Sequence, residues 1–149
     1  MNLYNHPVNK FVAGFIGTPP MNFVNGKIVK DNNKLIFKHV NKKIIFEINS
    51  SNEIDKLEGK KVCLGFRAEN VGIQNFHKST SFTGKIETIE ILGAEQYITV
   101  SGFNKPVVSK ISADKTYQLN DLISLNINLE NIYFFDDETE ICITKNIFK

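Results

Sequence analysis

The fold is decided by the stretch FTGKIETIEIL, residues 82–92, in which side chains of two kinds alternate. A period of two is typical of a β-strand, whose successive side chains point to opposite faces of a sheet. One face would present Ile86, Thr88 and Glu90, and the other Glu87, Ile89 and Ile91. Gly84 and Gly93 stand where a bulge or a tight bend is expected. The stretch therefore predicts a long strand.

The same β pattern recurs along most of the chain, with turn-forming residues between the apolar runs. Further strands are predicted at residues 26–30, 34–39, 42–48, 62–67, 97–100, 106–111, 122–128 and 140–144. Asp31-Asn32-Asn33 and Asn41 supply two of the turns. Roughly nine or ten short strands at a spacing of about 8–12 residues favour a barrel or a sandwich over a parallel α/β sheet.

An amphipathic helix is predicted near the amino-terminal end. Its apolar stripe follows the i, i+3, i+4, i+7, i+8 spacing and consists of Val8, Phe11, Val12, Phe15 and Ile16. Pro7 suits the first helical position, where its missing N–H is harmless, and Gly17 suits a left-handed cap. The segment Thr18-Pro19-Pro20 prevents continuation. We therefore expect one short helix that docks its stripe on another surface.

Length and charge exclude several classes of protein. The chain has 149 residues, which fits one domain or two very small modules with a shared core. Its formal charge of +2 and its single arginine, Arg67, argue against nucleic-acid binding, because such domains concentrate positive charge and use arginine to contact phosphate and guanine. The sequence shows neither a signal peptide nor a run of about 18 apolar residues, so we expect a cytoplasmic protein.

Local motifs of catalysis and nucleotide binding are absent from the sequence. It contains no G-x-x-x-x-G-K-[ST] phosphate loop, no G-x-G-x-x-G dinucleotide loop and no H-E-x-x-H helix. The histidines His6, His39 and His77 are isolated and are interpreted as surface or turn residues. No serine or cysteine stands in the local setting of a nucleophile. We therefore predict no catalytic, cofactor-binding or metal site in this chain.

Two groups of residues have both a structural and a chemical interpretation. The acidic cluster Asp136-Asp137-Glu138, with Glu140, could bind a divalent cation. It lacks the spaced oxygen ligands and the glycine of a calcium loop, so a solvated turn between two strands is favoured. Cys63 and Cys142 each lie in an apolar run and are interpreted as small core residues in a reducing compartment, with a disulfide left open.

Several segments of the chain, taken in order, match the motifs of one family. Residues 4–23, YNHPVNKFVAGFIGTPPMNF, are similar to the pattern P-x-N-x-F-V-A-x-F-I-G-S-P-x-M-N-F. Residues 64–71, LGFRAENV, are similar to L-G-I-R-P-E, with Ala68 in place of the family proline. Residues 90–97, EILGAEQY, and later 134–139, FFDDET, are similar to E-x-L-G-x-E and F-D-x-x-T. With these motifs the chain resembles the carboxy-terminal part of ATP-binding subunits of maltose, multiple-sugar and glycerol-3-phosphate ABC importers.

The resemblance implies a mainly β regulatory domain of OB-like barrel halves, of the MOP or TOBE type, with one short linking helix. Residues 1–20 would form that helix and a proline turn after a missing ATPase domain. Residues 21–149 would form the barrel, with a division into halves near 76–81. ATP and magnesium would bind only in the missing domain, so this chain alone would not be an enzyme.

The resemblance also implies partners. The regulatory domain would form a homodimer, and the parent protein would supply the ATPase domain and bind the membrane subunits of a transporter. In some members of the family a regulatory protein binds as well. The protein would then lie in the cytoplasm, on the inner face of the cell membrane, without a nucleic-acid partner.

Four residues in the matching motifs are candidate interface or regulatory residues: Arg67, Glu69, Glu95 and Asp136. Arg67 is open to two interpretations, as a structural ion pair or as an anion contact at a domain interface.

Two other functions stay open. One is a sensor of a sugar, a sugar phosphate or an oxyanion. The other is an OB-type nucleic-acid binder that stacks bases on exposed aromatic rings, although several phenylalanines fall in the strand-core pattern: Phe37, Phe46, Phe66 and Phe82.

Overall fold

Two antiparallel β-sheets form most of the structure, a computed structural model that describes residues 2–41 and 43–145. The helices in this part of the chain are α1 (Asn2–Asn5), α2 (Lys10–Phe15) and α3 (Asn52–Asp55). Its strands are β1 (Asn22–Asp31), β2 (Lys34–His39), β3 (Ile45–Ile48), β4 (Lys61–Phe66), β5 (Val71–Gly72), β6 (Ser79–Leu92), β7 (Glu95–Val100), β8 (Val107–Ser112), β9 (Leu122–Asn128), β10 (Tyr133–Asp136) and β11 (Cys142–Lys145). The mainly β prediction is confirmed.

The first sheet has the strand order β11-β10-β4-β1-β2-β3, and the second has the order β5-β9-β6-β7-β8. The chain leaves the first sheet after β4 and returns to it at β10. Residues 76–78 lie in the connection between β5 and β6, and residues 79–81 already belong to β6. A division into halves near these residues stays a prediction.

One hydrophobic core fills the space between the two sheets. Its fully buried side chains come from the first sheet, such as Phe37 and Leu64, and from the second, such as Ile98 and Leu125. The phenylalanines expected in the core are all buried there: Phe37, Phe46, Phe66 and Phe82. Their burial leaves them unable to stack on nucleic-acid bases.

Asn22, at the start of β1, joins the two sheets where no strand ladder does so. Its side-chain amide donates to the main-chain oxygen of Val108 at 2.9 Å and accepts from the main-chain N–H of the same residue at 2.9 Å. The amide thereby pairs with the edge strand β8 as a neighbouring strand would. The next residue of β8 makes a further contact, in which the Ser109 hydroxyl donates to the main-chain oxygen of Val71 at 2.5 Å. These contacts nearly close a barrel.

The long strand predicted at 82–92 is present as β6, which begins three residues earlier. It pairs with β9 along its first half and with β7 along its second half. The register shifts between Ile86 and Thr88, which makes Glu87 the extra residue of a bulge. A side chain at Gly84 would meet the main-chain oxygen of Ser101 at 1.7 Å, so the glycine is required there.

Strand prediction failed mainly where strands are short. Neither β5 nor β10 was expected, and β3 begins at Ile45 although the pattern placed its start at Lys42, which lies outside the described residues. The strand predicted from Glu140 begins only at Cys142, because Glu140 has a φ of 62° and belongs to the preceding turn.

The prediction of one amino-terminal helix was wrong in its boundaries and in the face that it buries. Two short helices form instead, and Pro7 precedes α2. The cap of α2 is Asn9, whose side-chain oxygen accepts from the N–H of Val12 at 2.8 Å. The side chain that α2 buries fully is Ala13, while Phe11 and Phe15 of the predicted stripe are 74% and 75% exposed.

Candidate functional site

Arg67, the single arginine of the chain, lies directly after β4 and is 2% exposed. Its Nη1 donates to the main-chain oxygens of Ala13 and Ile16 at 3.0 and 2.7 Å. Its Nη2 donates to the main-chain oxygen of Tyr4 at 3.1 Å. The guanidinium therefore binds carbonyl oxygens from the amino-terminal segment, and the interpretation of Arg67 as a structural ion pair is replaced by this set of contacts.

These three carbonyls are at the carboxyl ends of the two helices, Tyr4 in α1 and Ala13 and Ile16 at the end of α2. The last carbonyls of a helix have no partner within it, and a cation is favourable at that end of the helix dipole. The planar fork of arginine suits several acceptors at once. One side chain from the barrel thus caps both helices.

Tyr4 packs on the guanidinium and extends this group of residues, which we call the Arg67 cluster: Tyr4, Arg67, Glu69 and Tyr133. The Cζ atom of Arg67 is 4.1 Å from the centre of the Tyr4 ring. The Tyr4 hydroxyl donates to a carboxylate oxygen of Glu69. Burial, and then this hydrogen bond, raise the pKa of Tyr4 to about 12. The phenol is therefore neutral at physiological pH and remains a donor.

Tyr133, in β10, supplies a further contact to the amino-terminal segment. Its hydroxyl donates to the main-chain oxygen of Asn5 at 3.0 Å, and burial raises its pKa. Gly17 makes the close approach possible, because its φ is 108° and an added Cβ would lie 3.0 Å from the Tyr4 ring and 3.1 Å from Nη1 of Arg67. The positive φ expected at Gly17 is present, although it follows an extended Ile16.

Main-chain hydrogen bonds attach the same segment to the hairpin of β10 and β11. The N–H of Lys10 donates to the oxygen of Glu140 at 2.8 Å, and the N–H of Cys142 donates to the oxygen of Val8 at 3.0 Å. Asn9 and Ile141 form an isolated antiparallel bridge between these two bonds. The amino-terminal segment is thus attached to the barrel by both side-chain and main-chain contacts.

The outer face of α2 is apolar and open. Phe11 and Phe15 stack with their ring centroids 5.9 Å apart and an angle of 10° between the rings. Beside them is a shallow depression of about 380 Å³, lined by Gly14 and Phe23 and by three charged residues, Lys10, Lys105 and Glu140. We call Phe11, Phe15 and this depression the α2 face. Two stacked rings this exposed are unusual for a surface that meets only water.

The structure brings Glu69 and Glu95 together and places Asp136 elsewhere. Glu69 and Glu95 line one depression of about 470 Å³, which also contains Lys110 and Lys115. Glu69 is exposed and Glu95, at the start of β7, is half-buried. Arg67 is joined to Glu69 through Tyr4. Whether these residues act in an interface or in regulation stays a prediction.

Asp136 ends β10 and organises the turn to β11. Its Oδ1 accepts from the main-chain N–H groups of Glu138 and Thr139 at 2.8 and 2.9 Å. These two hydrogen bonds hold its pKa below the usual value. The acidic cluster is therefore an exposed turn between two strands, as the sequence favoured. Within residues 2–41 and 43–145, no group of three or more His, Cys, Asp or Glu side chains is arranged to hold a metal ion.

The two cysteines do not form a disulfide and lie on either side of β10. Phe135 is paired in register with Cys63 on β4 and with Cys142 on β11. Neighbouring strands are about 4.8 Å apart, so the two Cα atoms are separated by about 10 Å, beyond the reach of a disulfide. Cys63 is 1% exposed, and burial raises the pKa of its thiol to about 11. Cys63 is a core residue, as predicted, whereas Cys142 is half-buried.

His39, expected at the surface or in a turn, is instead 3% exposed at the end of β2. Its Nδ1 accepts from the main-chain N–H groups of Asn41 and Lys43 at 3.3 and 3.4 Å, and its ring meets that of Phe103 edge to face. Burial, and then the charge of Lys43, lower its pKa. The neutral imidazole therefore stabilises the turn after β2.

Sequence reasoning found Arg67 and Glu69 but missed Tyr4, Tyr133 and Asn22. Tyr4 and Asn22 lie within the 4–23 segment, which was interpreted as a helix with a proline turn and as a family motif, without a role for these two side chains. Tyr133 is distant in sequence, so its contact with Asn5 depends on the return of the chain to the first sheet.

None of the helices in the described part of the chain has the length and apolar character needed to span a bilayer.

Comparison with known proteins identifies relatives of this fold. Residues 17–71 match the family described as the MalK OB fold domain. The chain is 34% identical over 143 residues to the ABC transporter ATP-binding protein YcjV of Escherichia coli, covering 95% of this chain and 38% of that protein. It is 30% identical over an alignment of 151 positions to the oligosaccharides import ATP-binding protein MsmX of Bacillus subtilis, which covers 95% of this chain and 40% of MsmX.

Another relative is the multiple sugar-binding transport ATP-binding protein MsmK of Streptococcus mutans, 29% identical over 150 residues, with 95% of this chain and 38% of that protein covered. Among solved structures, the molybdate-binding protein ModG superposes with a TM-score of 0.59 and 15% identity, over 76% of this chain and 94% of the ModG chain. This likeness confirms the OB-like fold. The chain spans about two fifths of the length of its curated relatives. Residues 17–71 thus resemble the MalK OB fold domain, and the chain is similar over most of its length to one part of these ABC transporter ATP-binding proteins.

Proposed function

We propose that this chain is the regulatory and dimerisation domain of the ATP-binding subunit of a carbohydrate ABC importer. Two relatives, MsmX and MsmK, are named for the import of oligosaccharides and of multiple sugars. More than half of each relative lies outside the match, which leaves room for a nucleotide-binding domain. The parent protein would bind ATP and magnesium in that domain, and this chain would not hydrolyse ATP by itself.

The observation that most favours this function is the α2 face. Phe11 and Phe15 are three-quarters exposed, yet the helix that presents them is fixed to the barrel through the Arg67 cluster. An apolar surface on a rigid support suits a protein contact that must transmit movement. The occupant that we propose is the parent's own ATPase domain. Opening and closing of the ATPase dimer would then reach the barrel through α2.

The same proposal places the protein in the cytoplasm, at the inner face of the cell membrane, through the membrane subunits of the transporter. It includes a homodimer formed by the regulatory domains. A regulatory protein is a further partner in this proposal, and nucleic acid is not one. The transported sugar would be selected by other subunits.

The docking of the ATPase domain is tested by calorimetric titration of this chain with the nucleotide-binding part of Bacillus subtilis MsmX. We expect measurable binding by the wild type and a loss of at least about tenfold in the double variant Phe11→Ser, Phe15→Ser. The matched control is Val40→Ser, Leu122→Ser, which removes two side chains that are 62% and 73% exposed elsewhere. Absence of binding by the wild type, or equal losses in both variants, would contradict the proposed contact.

The dimer is tested by sedimentation of the isolated chain over a range of concentrations. Self-association that rises with concentration would support it. A strict monomer at the highest concentration would count against dimerisation through this domain. The coding sequence upstream of Met1 provides an independent check, since an ATPase domain encoded there would support the assignment to a longer protein.

A further inference from the structure

Three lysines that are far apart in sequence lie side by side on the first sheet. In the strand register, Lys27 of β1 is directly opposite Lys38 of β2 on one side and Lys61 of β4 on the other. Neighbouring strands are about 4.8 Å apart, so the three Cα atoms span about 10 Å across the sheet. We call Lys38, Lys27 and Lys61 the lysine row.

All three side chains project from the outer face of the sheet. Each lysine has a neighbour on its own strand that is 0% exposed and points into the core. Ile28 follows Lys27, Val62 follows Lys61 and Phe37 precedes Lys38. Because successive side chains of a strand alternate between faces, the lysines must point outward. Lys27 and Lys61 are exposed and Lys38 is half-buried.

Acidic side chains approach the row only at its two ends. In the described part of the chain, none of the three lysines forms an ion pair within 4.0 Å. At one end Glu47, on β3, lies 3.6 Å from Lys34. At the other end Lys61 lines a depression with Lys60 and with three acidic residues at the end of β10 and beyond it: Asp136, Asp137 and Glu138. Like charges directly opposite each other on neighbouring strands are unfavourable, and Lys27 has a lysine opposite it on both sides.

We propose that the lysine row binds an acidic face of another protein. At Lys27 and Lys38 the surface is the open face of a regular sheet, which suits a flat macromolecular partner better than an enclosed small ligand. Two apolar side chains flank the row, Ile45 at 45% and Val40 at 62% exposure. A basic centre with apolar neighbours is typical of a protein interface.

Nucleic acid fits this surface less well. The outward neighbours of Lys27 and Lys38 include Asn25, Val29, Ile36, Val40, Ile45 and Glu47, and none of these is an arginine or has an aromatic ring. Base stacking and bidentate phosphate contacts, the usual means of nucleic-acid binding, are therefore lacking. Carboxylates presented from neighbouring strands of a partner sheet would have the same spacing as the lysines. The row contains no residue of the α2 face or the Arg67 cluster, so it stands apart from the proposed function.

The test is fluorescence anisotropy with labelled poly-L-glutamate as the probe. The variant Lys27→Gln, Lys38→Gln, Lys61→Gln should bind about tenfold more weakly than the wild type at low salt. The matched control, Lys85→Gln, Lys110→Gln, Lys115→Gln, removes the same charge from the second sheet and the segment after β8, and should change binding less than about twofold. The difference should disappear at about 0.5 M salt, where screening is strong.

A charge-retaining variant separates binding from folding. Lys27→Arg, Lys38→Arg, Lys61→Arg should bind poly-L-glutamate at least as well as the wild type, whatever the melting temperature of the glutamine variant. Equal losses in the row variant and its control would overturn the proposal, because the attraction would then be due to net charge. Row-dependent binding of a single-stranded oligonucleotide or of anionic vesicles that exceeds binding of poly-L-glutamate would also overturn it.

Discussion

Replacement of Arg67 by methionine should release the amino-terminal segment from the barrel. Methionine retains an apolar stem but loses the donors to three main-chain oxygens. The Ala13 oxygen is buried, so leaving it unpaired destabilises the fold by about 1–3 kcal/mol. The oxygens of Ile16 and Tyr4 are partly buried and can regain water, which lowers the loss to about 1 kcal/mol each. We expect a total decrease of about 3–5 kcal/mol in the free energy of unfolding.

Urea unfolding followed by circular dichroism measures this decrease, since the chain has no tryptophan for fluorescence. Lys85→Met, which removes an exposed cation from β6, is the control and should change the free energy of unfolding by less than about 0.5 kcal/mol. Hydrogen exchange supplies a second measurement, because the N–H groups of Ala13 and Ile16 donate to the main-chain oxygens of Asn9 and Val12 and so report on α2. A decrease below about 1 kcal/mol, together with unchanged protection of these two N–H groups, would refute the proposed role of Arg67.

Three further predictions concern other parts of the structure. The double variant Phe11→Ser, Phe15→Ser should change the free energy of unfolding of the isolated chain by less than about 1 kcal/mol, because both rings are mostly exposed. A larger decrease in that free energy, measured by urea unfolding, would mean that the rings stabilise the fold itself. Asn22→Ala should lower that free energy by about 2 kcal/mol, as two hydrogen bonds to the edge strand are lost, and an unchanged urea midpoint would contradict the role of Asn22 in joining the sheets. The pKa of His39 is lowered in the folded chain, so the unfolded chain binds the proton more readily. The stability that neutral His39 contributes is therefore present above the unfolded pKa of about 6.5 and is lost as the pH falls below that value. His39→Gln should reduce the dependence of stability on pH between about 7.5 and 5, as measured by urea unfolding across that range, and an unchanged dependence would contradict the role of His39.

The β class was predictable because it depends on local alternation. The pattern of 82–92 gives the strand β6 almost completely, although alternate burial is present only from Phe82 to Ile86 and both faces are exposed or half-buried from Glu87 to Leu92. Short strands such as β5 and β10 escaped prediction, because two or four residues contain too little of the period to distinguish a strand from a turn.

The error at α2 has a different cause. Periodicity shows that Phe11 and Phe15 share one side of a helix, but it does not show whether that side meets the core. The α2 helix buries Ala13 and is attached through main-chain atoms that no side-chain pattern reveals. An apolar stripe that contacts a partner has the same sequence signature as a stripe that contacts the core.

The position of Arg67 explains how contacts at the α2 face could reach the barrel. Arg67 follows β4, an inner strand of the first sheet with β10 and β1 as its neighbours. Its donors hold the ends of α1 and α2, and Tyr133 on the adjacent strand β10 holds Asn5. A displacement of Phe11 or Phe15 would therefore move β4 and β10 together through these hydrogen bonds. A lysine at position 67 could form only some of them. Coupling between an ATPase domain and this barrel would depend on that one guanidinium more than on the aromatic rings that make the contact.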